Sequence, residues 1–245
     1  MSDNAALVVL SGGQDSTTCL FWAREHFARV HAVTFDYGQA HAIELESARK
    51  VAEMAGCSPW QRLCLRNPGL RKGLPSPLLD ENAPLATYTD FESMEKEVGK
   101  RIETTFVPMR NAFFLTLAAN IAFAKGCNNL VTGVDEEDNA NYPDCREAFV
   151  RSQEDTINLA LGLEKGDAGA FRLHTPLIHK SKAETIALAQ SLPGCMEAMA
   201  YTHTCYAGVF PPCGKCHSCV LRAHGFAEAG VEDPLLVRAA RLGLK

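Results

Sequence analysis

The chain has 245 residues, a formal net charge of −5 and 47% hydrophobic residues, which suits one large α/β domain, or one domain with a small appendage, able to bury a core unaided. The mild acidity argues against a protein whose main work is gripping the phosphate backbone of nucleic acid. No tract is low in complexity or repeated, and the longest apolar stretch, Phe113 to Ala124, is broken by Thr116 and Asn120 and is too short to span a bilayer, so it predicts a buried helix.

The first predicted element is a strand at Leu7 to Leu10, a short apolar run of the kind a buried parallel strand shows. From Thr17 onward Leu20, Phe21, Ala23 and Phe27 recur at helical spacing, so Ser11 to Ser16 reads as a tight loop from a strand into a helix N-terminus. Gly12 and Gly13 let the main chain turn sharply and let a ligand approach it, while the free N–H groups and dipole of the helix start attract an anion. A phosphate or pyrophosphate suits such a loop, although the spacing matches neither the Walker pattern nor the dinucleotide fingerprint. The plainer alternative is an ordinary Gly-Gly turn with Ser16 capping the helix.

His31 to Phe35 predicts the second strand, Ala40 to Gly56 a helix that Gly56 stops, and Trp60 to Leu65 a third strand. Between Arg66 and Thr104 the pattern gives way to Pro, Gly, Asn and charged residues, which predicts a long loop or a partly ordered insertion. Pro108 should break the chain ahead of a helix that begins near Asn111, and Asn128 to Val134 is a further short strand. A polar loop follows, then a helix over Arg146 to Leu163, a strand at Leu173 to Leu177 and a helix over Lys182 to Leu192. This βαβα order predicts an α/β fold with a central parallel sheet. Ligands then sit beyond the strand C-terminal ends, where the first loop, "DYGQ", "VPMRN" and "DEEDNANYPDCR" should converge on one crevice. The closing stretch with Arg238, Arg241 and Lys245 reads as a solvated helix face rather than a basic patch.

Near the C-terminus, "CYAGVFPPCGKCHSC" sets Cys213, Cys216 and Cys219 at Cys-x-x-Cys spacing, with Cys205 eight residues upstream of Cys213. Four thiolates in so short a segment are enough to close a tetrahedral site, and Gly214 permits the tight knuckle. Zinc is favoured; a ferredoxin-type iron–sulfur run would place its next cysteine and a proline where this chain has Arg222 and Ala223. With no open position such a zinc would be structural, and His203 and His217 are alternative ligands of lower rank. Cys19, Cys57, Cys64, Cys127, Cys145 and Cys195 read as buried filler. Ten cysteines, with no cationic start followed by a long apolar stretch, predict a reducing compartment and a cytoplasmic location.

The order "LSGGQDSTTCL", "VTFDYGQ", "TFVPMRN", "TGVDEEDNANYPDCREAFV", "TPLIHKSKAET" and "TCYAGVFPPCGKCHSCVLRAHGF" resembles the 7-cyano-7-deazaguanine synthase family, nitrile-forming enzymes of queuosine precursor biosynthesis that share the pyrophosphate loop of N-type ATP pyrophosphatases. The likeness runs from about Leu7 to about Phe226 and weakens from Arg66 to Thr104. Met109 stands where the family pattern has glycine, and "DEEDNAN" replaces a "CETDFSG"-like stretch.

The resemblance implies a doubly wound, mostly parallel sheet of the adenine nucleotide alpha hydrolase-like, PP-loop type. It divides into an ATP-binding α/β domain at 1–195 and a small zinc-binding, helical C-terminal segment at 196–245. The implied reaction joins 7-carboxy-7-deazaguanine and ammonia, with two ATP, into the 7-cyano product, two AMP and two pyrophosphates. The ATP loop would run through Leu10, Ser11, Gly12, Gly13, Gln14, Asp15, Ser16, Thr17, Thr18, Cys19 and Leu20. The amides of Ser11 to Gln14 and the hydroxyls of Ser11, Ser16 and Thr17 would hold phosphates, with Asp15 beside the magnesium of ATP. Arg110 would neutralise a phosphate or the substrate carboxylate, and Lys182 would reach the phosphates from a helix start. Tyr142, Asp144 and Arg146 would read the deazaguanine edge and its carboxylate. Cys205, Cys213, Cys216 and Cys219 would ligate one structural zinc. Partners would be these small molecules, without direct nucleic-acid or membrane contact and with a homodimer as a possible assembly. Two rival classes are an ATP-using enzyme that installs sulfur in tRNA and a non-catalytic nucleic-acid binder that works through its cysteine knuckle.

Overall fold

The computed structural model describes residues 2–40, 43–57, 60–66, 76–80, 82–99, 101–136 and 142–244. Five strands, β1 (Ser2–Val9), β2 (Arg29–Asp36), β3 (Trp60–Cys64), β4 (Cys127–Val131) and β5 (Arg172–His174), form one parallel sheet in the order β3-β2-β1-β4-β5. Leu7 of β1 is paired with His31 of β2 on one side and Leu130 of β4 on the other. Neighbouring residues of β1 point to opposite faces, and both faces are covered. Ala6 and Val8 pack with α1 (Gln14–His26), α2 (Ile43–Met54), α6 (Lys182–Ser191), α7 (Cys195–Met199) and α8 (His217–Glu228), named here in chain order with those below. Ala5 and Leu7 pack with α4 (Arg110–Ala124) and α5 (Glu147–Ala160). That double burial is why β1 reads as a continuous apolar run rather than an alternating one. Chain order leaves β1 in both directions, to β2 through α1 and later to β4. The crevice beyond the C-terminal ends of β1 and β4 is therefore the switch point at which such sheets bind ligands.

Several boundaries differ from expectation. β1 starts at Ser2, and α1 starts at Gln14, three residues before Thr17. β4 ends at Val131 and β5 at His174, each short of the apolar run that predicted it; Thr132, Gly133 and Val134 line the crevice instead, while Leu177 packs into the core. The segment 66–104 holds a helix, α3 (Phe91–Val98), started by a capping box in which Asp90 accepts from the Ser93 N–H and Ser93 answers the Asp90 N–H. Its Met94 packs with Val220 and Leu221 of α8, and Phe91 stacks on His224 with centroids 3.7 Å apart. The stretch Phe113 to Ala124 is helical but buried on one side only, since Phe113 is 43% and Phe123 51% exposed. α9 (Pro234–Arg241) buries Leu235 and Ala239, and Arg238 lies over the rings of Tyr201 and Phe210 rather than in open solvent. Residues 137–141 of the "DEEDNAN" stretch and Lys245 lie outside the described residues. No helix among those described is long and apolar enough to cross a membrane.

Candidate active site

The β1–α1 loop is braced by its own hydroxyls. Ser11 and Ser16 exchange a 3.0 Å hydrogen bond, the Ser16 hydroxyl donates to the Gly13 carbonyl at 3.1 Å, and the Thr17 hydroxyl donates to the same carbonyl at 2.8 Å. The N-cap of α1 is Gly13, which offers no side-chain acceptor, so the first N–H groups of the helix are left for an anion. Ser16 therefore braces the loop and is not the cap. Gly12 has a φ of 91° and lies so close to α2 that a Cβ there would collide with the Glu44 carbonyl oxygen and approach Ala48 N to 2.7 Å.

Beyond the loop, Lys182 begins α6 after a capping box in which Ser181 accepts from Glu184 N and the Glu184 carboxylate answers Ser181 N. Its side chain is 5% exposed, and its ammonium lies 3.2 Å from both carboxylate oxygens of Asp15 and 3.3 Å from Oδ2 of Asp135. Two glycines admit this arrangement. A Cβ on Gly225 of α8 would meet Lys182 Cγ at 2.6 Å, and one on Gly133 would meet Ser16 N at 2.9 Å. Asp15 is 28% and Asp135 2% exposed, so the ion-pair cluster is open on the Asp15 side, toward the crevice.

A cavity of about 280 Å³ occupies the switch point and joins this cluster to the aromatic side of the crevice. Leu10, Ser11, Gly13, Asp15, Ser16 and Asp135 are on its lining, and so are Tyr37, Gln39, Glu44, Arg110, Tyr142 and Tyr206. Gly12, Gln14, Thr17, Thr18, Cys19 and Leu20 are not on the lining. Thr17, Thr18, Cys19 and Leu20 are buried in α1, where the Thr18 hydroxyl donates to Gln14 O. Burial opposes the charge of Arg110, but the oxygens of Tyr37, Tyr142 and Tyr206 outweigh it and hold the guanidinium protonated. Burial pushes the Cys145 thiol on the lining up to about 12, so it stays protonated at neutral pH.

Two of the expected substrate readers stand elsewhere. The Asp144 carboxylate accepts from the Asn111 N–H at 3.2 Å and so serves the start of α4, where a negative charge meets the helix dipole. Arg146 is exposed at the N-cap of α5 and is not on the cavity lining. Met109, standing where glycine was expected, keeps the glycine backbone, with φ 64° and ψ 4°, and its side chain is turned to solvent at 71% exposure. Glu44 and Asp135 went unnoticed in the sequence. One Glu among three, with Glu46 and Glu53, in a predicted amphipathic helix looks like surface, and Asp135 sits in a run of acidic residues.

Cys205, Cys213, Cys216 and Cys219 converge, with all four Sγ atoms within 4.8 Å of one another and Cys213 to Cys219 at 3.9 Å. A tetrahedral ion with thiolates at about 2.3 Å sets sulfurs about 3.8 Å apart, so this donor set fits a metal ion. The Cys213 and Cys216 N–H groups donate to the sulfurs of Cys205 and Cys213, as thiolate ligands require. The cluster is not remote from the crevice. Cys205 and Tyr206 line the cavity, and His203 N–H donates to the Gly12 carbonyl at 2.8 Å.

A family model described as queuosine biosynthesis protein QueC matches residues 5–230. A 7-cyano-7-deazaguanine synthase of Laribacter hongkongensis is 49% identical over 235 residues, covering 96% of this chain and 95% of its own. One of Chromobacterium violaceum is 49% identical over 245 residues, covering 97% and 95%. Among solved structures, a 4-thiouridine synthetase–RNA complex with bound ATP aligns at 17% identity and a TM-score of 0.48, over 97% of this chain and 53% of that one.

Proposed function

This chain belongs to the QueC family of queuosine biosynthesis proteins, and from that premise we propose that it converts 7-carboxy-7-deazaguanine and ammonia into 7-cyano-7-deazaguanine at the expense of two ATP. The observation that carries the reading is one cavity whose lining includes the anion-loop residues, the Asp15 and Asp135 carboxylates that face Lys182, and Arg110 with Tyr37, Tyr142 and Tyr206.

A carboxylate is a poor electrophile at neutral pH. Transfer of an adenylyl group to its oxygen makes AMP the leaving group, ammonia displaces it, and the resulting amide is activated on oxygen in the same way before AMP departs and leaves the nitrile. The open N–H groups at the start of α1 and the hydroxyls of Ser11 and Ser16 would hold the phosphates. Asp15, the more open carboxylate of its cluster, would meet the magnesium of ATP, which offsets phosphate charge. Lys182 neutralises the carboxylates around it and would turn toward the phosphates as they arrive. The planar fork of Arg110 would take the substrate carboxylate, and Tyr142 and Tyr206 would bound the heterocycle. Asp144 would act by fixing the start of α4 rather than by touching substrate. Zinc in the four-cysteine site would fold the wall that carries Tyr206.

The test is incubation of purified protein with ATP, magnesium, ammonium and 7-carboxy-7-deazaguanine, read by mass spectrometry. Nitrile and AMP are expected; ATP bound without any product from this acid would refute the substrate.

A further inference from the structure

Three carboxylates line the cavity: Asp15, Asp135 and Glu44. The first two face the Lys182 ammonium. Glu44 has a different setting. Among the described residues no cationic nitrogen lies within ion-pair distance of it, and its one hydrogen bond is to Oε1, from Gln39 Nε2 at 2.7 Å. Gln39 is itself fixed, since its Oε1 accepts from the Tyr37 N–H at 3.1 Å. The carboxylate is thus aimed by a neutral amide, and Oε2 has no hydrogen bond among the described residues. Glu44 also stands in the first turn of α2, the turn that packs directly on Gly12. Its carboxylate shares the cavity lining with Ser11, Gly13 and Ser16 of the anion loop, so an acyl adenylate formed in the cavity has this carboxylate on its wall.

The proposed reaction, on which this inference rests, sheds protons from nitrogen, and no residue in the reading above receives them. We infer that Glu44 is the catalytic base of the nitrogen steps. When ammonia adds to the acyl adenylate, an N–H bond of the tetrahedral adduct breaks and its proton passes to the Glu44 carboxylate, while the C–O pair leaves with AMP and the amide remains. After the amide is adenylated on oxygen, its nitrogen sheds two protons in turn to the carboxylate, which passes the first to water before it takes the second. Loss of the first leaves the neutral imidate; the electron pair of the second N–H bond becomes the third C–N bond, and the C–O pair departs with AMP. Each time Glu44 returns its proton to water, and no oxidant or reductant is needed.

The electrostatic surroundings agree. Burial pushes the Glu44 carboxyl up to about 7, against the pull of the Gln39 amide and the Arg110 charge from α4, with Asp36 at the end of β2 adding to the rise. Tyr37, whose own ionisation burial suppresses, stays neutral beside it. A base with that affinity is substantially unprotonated at neutral pH yet strong enough to take a proton from an activated nitrogen.

The experiment compares metal-loaded wild type, Glu44→Gln and Glu44→Asp in two assays. Isotope exchange between pyrophosphate and ATP, driven by 7-carboxy-7-deazaguanine without ammonium, reads adenylation alone. Nitrile formation, from the acid with ammonium or from the 7-amide, reads the nitrogen steps. Glu44→Gln should keep exchange within a few-fold and lose about 100-fold or more in kcat for the nitrile. The wild-type rate should rise with pH through a step near 7 that Glu44→Gln lacks, and Glu44→Asp should recover part of the loss. Exchange and nitrile formation falling together, a higher KM for the acid at unchanged kcat, or a Glu44→Asp no faster than Glu44→Gln would overturn the role. A wild type inert in exchange with this acid would instead overturn the functional reading beneath it.

Discussion

Gly12→Ala probes the contact that fixes the anion loop against α2. At a φ of 91° an L residue is strained by about 1–2 kcal/mol. The new methyl would also collide with the Glu44 carbonyl oxygen and lie 2.7 Å from Ala48 N. Both are backbone atoms of a helix, which cannot swing aside as a side chain would, and overpacking of this kind adds about 1–3 kcal/mol. The expected loss is therefore about 3 kcal/mol, or about 6–12 °C in Tm for a chain of this size. Gly13→Ala is the control. Its φ is −81° and its Cβ would only touch Thr204 Cγ2 at 3.4 Å, so it should lose no more than about 1 kcal/mol, chiefly because Ala is the poorer N-cap. Urea unfolding of the metal-loaded proteins, followed by tryptophan fluorescence, reads both. Equal losses in the two variants, or a Gly12→Ala protein within about 1 kcal/mol of wild type, would refute the close packing of loop and helix.

Stripping the metal with a chelator, or Cys213→Ser, should weaken ATP binding about tenfold or more in calorimetric titration, since the His203 N–H that holds the Gly12 carbonyl belongs to the cysteine segment; unchanged affinity would show the two to be independent. Met109→Gly should raise the unfolding free energy by about 0.5–1 kcal/mol, read as a higher urea midpoint at constant slope, because relief of the left-handed strain at φ 64° exceeds the extra chain entropy of glycine. His174, which bonds Asn129 Oδ1 at 2.9 Å, is pushed down from 6.5 to about 4 by burial and then by Arg172 and Arg151. The unfolded chain therefore takes up the proton first. Stability is intact above pH 6.5 and falls between about 6.5 and about 4, by at most about 3 kcal/mol and nearer 1–2 after solvent screening. His174→Gln should flatten that part of the profile in urea unfolding at pH 7.5 and 5.

The parts of the site that were legible are those whose chemistry is local. A glycine pair between an apolar strand and a helix start, and cysteines at knuckle spacing, carry their meaning within a few residues. What stayed hidden is made by distance. Lys182 meets Asp15 across 167 residues of chain and Asp135 across 47, and no periodicity reports a pairing of that kind. Arg146 and Asp144 follow Tyr142 closely in sequence, yet a short 3-10 turn at Pro143–Cys145 separates them. Tyr142 and Cys145 face the cavity, Asp144 turns to α4 and Arg146 to solvent. α3 was obscured because its start signal is Asp-x-x-Ser inside a polar segment rather than a hydroxyl followed by Glu. The apolar look of α4 overstated its burial, since Phe113 and Phe123 lie on its outer side.

The two strongest motifs, about two hundred residues apart, turn out to build one wall. The stretch leading into the cysteine knuckle donates to Gly12 and lies against Gly13, Cys205 and Tyr206 face the cavity, and the helix that follows the knuckle carries the glycine that makes room for the stem of Lys182. The buried cluster of the knuckle consists of the cysteines themselves, Cys205, Cys216 and Cys219, with only Leu85, Tyr206, Ala207 and Cys213 packed against them. A metal ion on these four sulfurs would be a term large enough to fix the knuckle. Removing such an ion would then act on the anion loop and on the Lys182 cluster together, through the His203 N–H on the Gly12 carbonyl and through Gly225 beside the Lys182 stem, although neither of these is one of the four cysteines.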